Sequence, residues 1–109
     1  MEAIYAIDLN NGLSKDGVIP WKSKRDMSFF KNITTNHIVI MGKNTFFSIP
    51  KEYRPLKNRL NIVLTSTPHL YKNITNDDSN VLFTDNTDIY QDILKNRNSY
   101  YQNYHYLHP

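Results

Sequence analysis

Ile38-Val39-Ile40-Met41-Gly42-Lys43-Asn44-Thr45 carries a buried-strand signal into the opening of a helix through a single glycine. Four apolar residues, mostly β-branched, suit a strand covered on both faces. Gly42 lets the backbone turn and come close to a ligand. Unpaired N–H groups at the helix start, with Lys43 and Thr45 beside them, favour a phosphate, although an ordinary turn and cap reads the same way.

Working outward, Ile4-Tyr5-Ala6-Ile7 reads as a first strand, closed by the polar turn Asp8 to Gly12, with a loop through Gly17 to Pro20-Trp21. From Asp26 the pattern turns helical, with Met27, Phe30 and Ile33 or Thr34 at spacings of three and four. A short helix is expected from Thr45 to about Ile49, then an extended connection punctuated by Pro50 and Pro55. Leu60 to Leu64 is a further strand, ending in Thr65-Ser66-Thr67-Pro68. A polar loop from Asn73 to Asn80 leads to a strand at Val81-Leu82-Phe83. Asp85-Asn86-Thr87-Asp88 then offers cap chemistry ahead of a helical stripe, Ile89, Tyr90, Ile93 and Leu94. Strands alternating with helices argue for an α/β fold with a mainly parallel sheet, right-handed crossovers, and ligands at the carboxyl ends of the strands.

A chain of 109 residues makes one domain, large enough to be stable without staples. It has no cysteine, which excludes disulfides and thiolate metal sites and agrees with a reducing, cytoplasmic location. The start shows no signal peptide, no apolar run approaches membrane length, and the sequons at Asn32 and Asn73 then carry no meaning. A net charge of +3 permits an anionic partner without selecting nucleic acid. The basic clusters, Lys22-Lys24-Arg25 and Lys51-Arg54-Lys57-Arg59, lack the aromatic interleaving of a single-strand binder and read as solvated faces.

Three places can carry chemistry. Asp26 shares a helix face with Phe30, and a carboxylate among apolar groups would have a raised pKa and suit a cationic or amidine-like ligand; an Asp opening a helix is also an ordinary cap. Arg59, just ahead of a strand, can clamp a carboxylate bidentately or stand solvated. Thr65 and Ser66 at a strand end can serve a second phosphate or a polar turn. His105 and His108 have no acid or cysteine nearby to complete a site, so no metal is expected, and no nucleophile–base pair stands out.

Taken together, these pieces resemble one family. Gly12-Leu13-Ser14-Lys15-Asp16-Gly17-Val18-Ile19-Pro20-Trp21, then Asp26 with Phe30, then VIMGKNTFFSIP, then RPLKNRLNIVLTS match dihydrofolate reductase in order, spacing and residue type. The resemblance runs from about residue 3 to residue 68, and more weakly to about 97. It implies an oxidoreductase of one-carbon metabolism and tetrahydrofolate biosynthesis, moving a hydride from NADPH to the dihydropterin ring. Asp26 would anchor the amino-amidine edge and promote protonation, with Trp21 beside it under a flexible loop from Gly12 to Ile19. Ile4, Tyr5, Ala6, Met27, Phe30, Ile49 and Leu56 would line the pterin and benzoyl pocket, and Arg59 would hold the glutamate α-carboxylate. Gly42, Lys43, Asn44 and Thr45 would hold the pyrophosphate, Leu64, Thr65 and Ser66 would border the adenosine side, and Ala6, Leu13, Ser14 and Gly17 would lie along the nicotinamide half.

Phe46 stands where the family usually has tryptophan, and Asn58 where glycine commonly precedes the arginine. No glycine follows Gly42, so the family's glycine-pair strand is absent, and Ser99 to Pro109 reads as an aromatic-polar tail. The expectation is therefore a single reductase-like domain over 1–109, truncated before the C-terminal strands. Its partners would be dihydrofolate and antifolate-like small molecules rather than nucleic acid or membrane. Some family members carry a linked thymidylate synthase domain. The alternative reading is a catalytically inactive folate- or nucleotide-binding fragment.

Overall fold

Period-two alternation in three strands divides the interior into two layers. In the strand Ile38–Gly42, Ile38 and Ile40 belong to one apolar cluster and Val39 and Met41 to the other. Leu60–Leu64 repeats the division, with Leu60 and Ile62 on one side and Val63 on the other. Strands buried on both faces read as continuous apolar runs, as Ile38 to Met41 does and as Leu60 to Leu64 does apart from Asn61. The computed structural model describes residues 3–8, 12–18, 32, 34–71, 80–104 and 107; within 3–8 and 12–18 the backbone is described, with the Ile7 side chain alone.

The five strands are β1 (Ala3–Asp8), β2 (Gly12–Val18), β3 (Ile38–Gly42), β4 (Leu60–Leu64) and β5 (Val81–Thr84), in the spatial order β2-β1-β3-β4-β5. β3, β4 and β5 are parallel, the α/β core expected from the alternation of elements. β1 joins it antiparallel to β3, with Ile7 opposite Ile38, and β2 pairs antiparallel with β1. Gly12–Val18, expected as a loop, is thus a strand. Its register carries an irregularity between Tyr5 and Ile7, where two steps along β1 face three along β2. The turn expected from Asp8 to Gly12 joins the two, with Asp8 opposite Gly12.

Helix α1 (Lys43–Ser48) covers one face, inserting Phe46 among Val39, Met41, Val63 and Phe83. Phe46 is 1% exposed and meets Phe47 and Phe83 edge-on, with centroids 5.2 and 5.6 Å away. Helices α2 (Ile89–Lys95) and α3 (Arg97–Asn103) cover the other face, through Ile89 and Ile93 and through Tyr100, Tyr101 and Tyr104. The expected tail is therefore helical over 97–103. Tyr100 and Tyr104, one turn apart, stack at 6.1 Å and lie against the cluster that contains Ile38 and Leu60.

Candidate functional site

Parallel pairing brings two distant stretches to one edge. Gly42, Leu64 and Thr84 lie in register at the carboxyl ends of β3, β4 and β5, so Gly42–Thr45 and Leu64–Ser66 become neighbours. Gly42 has φ −76° and ψ 163°, extended backbone that any residue adopts, so its lack of a side chain is not required by the turn. A Cβ built there meets nothing within 4 Å. The bare backbone is exposed, with no side chain capping the first turn of α1, and Lys43 half-buried and Asn44 exposed beside it. α1 has only six residues, so the cradle rests on local N–H and side-chain donors rather than a long helix dipole. Thr45 is turned inward and buried, its carbonyl accepting from Ser48 Oγ at 2.6 Å.

Across the edge, the Thr65 hydroxyl oxygen accepts from the Thr67 N–H at 3.2 Å and lies 3.4 Å from Thr67 Oγ1, so one of the two hydroxyls can donate to the other and one proton is left for a ligand. Ser66 is exposed and Leu64 half-buried. The Gly42 and Thr65 groups together present N–H, O–H and ammonium donors with no carboxylate among them, a set that fits phosphate oxygens.

Arg59 stands at the opposite, amino end of β4, about 17 Å from Leu64 at 3.3 Å of rise per residue. It is 5% exposed, which overturns the solvated reading for this member of its cluster. Nε donates to the Lys57 carbonyl at 2.9 Å and Nη1 to Thr34 Oγ1 at 3.1 Å. Among the described residues no carboxylate pairs with it, and burial lowers its pKa to about 10, so at neutral pH it is a buried cation. Asn58 has φ +57°, the left-handed region that glycine adopts freely and asparagine tolerates, so its substitution for glycine keeps the turn. Arg54 leaves the solvated reading too: Nη1 donates to the Phe47 and Ile49 carbonyls at 3.0 and 2.8 Å, closing the end of α1. Lys51 and Lys57 are the members that remain solvated.

Ile49 and Leu56 are 1% and 2% exposed within the core cluster around Phe46. Ile4, Tyr5 and Ala6 lie in β1 in register with Met41, Ile40 and Val39. Leu13, Ser14 and Gly17 lie in β2, a strand paired along β1 and not the flexible loop expected between Gly12 and Ile19. Trp21, Asp26, Met27 and Phe30, with His105 and His108, fall outside the described residues. One buried polar residue escaped the sequence reading: Asn61, fully enclosed in β4, whose amide would cost about 1–3 kcal/mol if left unpaired. Its signal was a lone amide inside an apolar strand.

A family model described as dihydrofolate reductase matches residues 1–102. Dihydrofolate reductase of Schistosoma mansoni is 44% identical over 73 residues, covering 62% of this chain and 39% of the relative. That of Bacillus subtilis is 49% identical over 65 residues, covering 60% and 37%. The bifunctional dihydrofolate reductase-thymidylate synthase of Daucus carota is 44% identical over 71 residues, covering 59% and 13%. A solved structure of the Schistosoma mansoni enzyme superposes with a TM-score of 0.55 at 36% identity, over 84% of this chain and 50% of that one. The chain thus spans less than two fifths of the length of these curated relatives.

Proposed function

The chain belongs to the dihydrofolate reductase family, and from that premise we propose that it serves the NADPH-dependent reduction of 7,8-dihydrofolate to tetrahydrofolate. The observation that carries this reading is the pair of anion-seeking places at the two ends of β4: a bare, open Gly42 backbone with donors beside it, and a buried Arg59 with no acidic partner among the described residues. A dinucleotide phosphate suits the first and a glutamate carboxylate the second.

NADPH, when bound, supplies the hydride. Gly42, Lys43 and Asn44 hold its pyrophosphate, Thr65 and Ser66 donate on the adenosine side, and Leu64 packs beside them. Arg59 holds the α-carboxylate of the substrate end-on through its unengaged N–H groups, which fixes the pterin's distance along the sheet. Asp26 would anchor the pterin's amino-amidine edge and support protonation next to the carbon that is reduced. No helix among the described residues is long and apolar enough to cross a membrane, and we place the reaction in the cytoplasm.

The test is NADPH consumption by the purified 109-residue chain. Turnover that depends on dihydrofolate, is blocked by a methotrexate-like antifolate and is lost in Asp26→Asn is the expected result. Stabilisation by NADPH or antifolate without turnover would leave a binding module, and neither turnover nor stabilisation would refute the reading.

A further inference from the structure

We propose that Asn61 is a positioning residue for Arg59, acting with Asn80 through the backbone of residues 56–59 to aim the guanidinium at a ligand carboxylate. The proposal rests on the reading that Arg59 receives that carboxylate. Asn61 is 0% exposed near the amino end of β4, in register with Val39 of β3 and Val81 of β5. An amide in such surroundings persists only if its polar atoms are engaged.

All of its partners lie in one small neighbourhood. Oδ1 accepts from the Leu56 N–H at 3.0 Å, while Nδ2 donates to the carbonyls of Leu56 and Arg59 at 3.0 Å each and of Asn80 at 3.2 Å. The Asn80 side chain reaches the same two acceptors, donating to Leu56 at 3.0 Å and to Arg59 at 3.3 Å. Two amides therefore converge on the two carbonyls that bracket Leu56-Lys57-Asn58-Arg59, and the Leu56 peptide is held at both its N–H and its C=O, as a neighbouring strand would hold it.

That bracket decides where the arginine points. Arg59 Nε donates to the Lys57 carbonyl, an acceptor inside the clamped segment, and Asn58 between them takes the left-handed conformation. Displacing either end of the segment moves the Lys57 oxygen, and the guanidinium plane follows it. Asn61 hydrogen-bonds to backbone groups in this segment, so its effect on a ligand passes through Arg59.

The experiment compares two ligands by equilibrium titration on the full chain: methotrexate, which carries the glutamate α-carboxylate, and a diaminopyrimidine antifolate that has no carboxylate. Arg59→Gln, Asn61→Leu and Asn80→Ala are measured singly, and Asn80→Ala also in combination with Arg59→Gln. The expected result is a loss of about tenfold or more for methotrexate in each single variant, as for one charge-assisted hydrogen bond. The diaminopyrimidine should lose less than about threefold, and Asn80→Ala should add nothing once Arg59 is glutamine. If Asn61→Leu does not fold, Asn80→Ala decides, since it removes two donors from the same carbonyls and leaves Asn61 in place. Equal losses for both ligands, no loss, or full additivity with Arg59→Gln overturns the positioning role while Arg59→Gln still discriminates. If Arg59→Gln itself fails to discriminate, the carboxylate reading falls and the proposal with it.

Discussion

Replacing Gly42 with alanine separates what the fold needs at the β3–α1 junction from what a ligand needs. Gly42 has extended backbone angles that alanine adopts without strain, and the added methyl group meets no atom within 4 Å. The folded state therefore gains no clash, while the unfolded chain loses freedom, so Gly42→Ala should stabilise by about 0.4–1 kcal/mol. For a domain of about this size that raises Tm by roughly 2–6 °C in a calorimetric or circular-dichroism melt. The same methyl group occupies the space through which a phosphate would reach the backbone N–H groups. Losing one or two charge-assisted hydrogen bonds weakens NADPH binding by about 10- to 100-fold, measured by titration of the same preparation. Stability that falls by more than about 1 kcal/mol would refute the claim that the backbone is unconstrained at 42. A higher Tm with NADPH affinity unchanged would refute the phosphate cradle.

Three further outcomes are expected. Phe46→Trp should destabilise by about 1–3 kcal/mol in a denaturant titration, because the enclosed ring already meets Phe47 and Phe83 edge-on and a larger one overfills the layer; an unchanged midpoint would show slack there. At Asn58, glycine should leave stability within about 0.5 kcal/mol, whereas valine should cost about 1–2 kcal/mol at its positive φ and should also weaken a carboxylate-bearing ligand, both read from melts with and without that ligand. Burial lowers the Arg59 pKa to about 10, so just above that pH the folded state binds fewer protons than the unfolded state, and its charge penalty, present below about pH 10, is relieved as pH rises. Affinity for methotrexate should accordingly be flat below that pH and fall above it by up to about tenfold per unit, with no such step for a carboxylate-free antifolate; parallel profiles would sink the assignment.

The parallel core was legible because Ile38 to Met41 and Ile62 to Leu64 are apolar on consecutive positions, a pattern that suits a doubly covered strand. β2 was not, since Ser14-Lys15-Asp16-Gly17 has the composition of a loop and its pairing is supplied by β1, a tertiary effect that propensity does not register. The helix at 97–103 was hidden for a similar reason: Tyr100, Tyr101 and Tyr104 have helical spacing, but the tyrosine-rich segment shows its apolar side only when Ile93 and Leu107 sit beneath it. Within the site, residue types pointed to Gly42, Arg59 and Thr65, while burial separated cations that look alike in sequence. Arg54 closes a helix end, Arg59 is enclosed, and Lys51 and Lys57 face solvent.

Arg59 sits at the amino end of β4, away from the edge where parallel sheets collect their ligands. One compact ligand cannot touch both Arg59 and the Gly42–Thr65 edge, because about 17 Å of strand lies between them at ordinary rise. Either one long ligand spans the sheet or two ligands meet between its ends. The proposed hydride transfer would need the second arrangement, since donor and acceptor carbons must approach to about 3–3.5 Å. Each molecule then needs an anchor remote from the reacting atoms, phosphate at one end and carboxylate at the other, so that binding energy gathered at the ends fixes their meeting point. A rigid strand is a good ruler for that task. β4 is buried on both faces, paired on both sides, and braced at its amino end by the Asn61 amide, so the distance between the two anchors is set by the best enclosed of the three parallel strands.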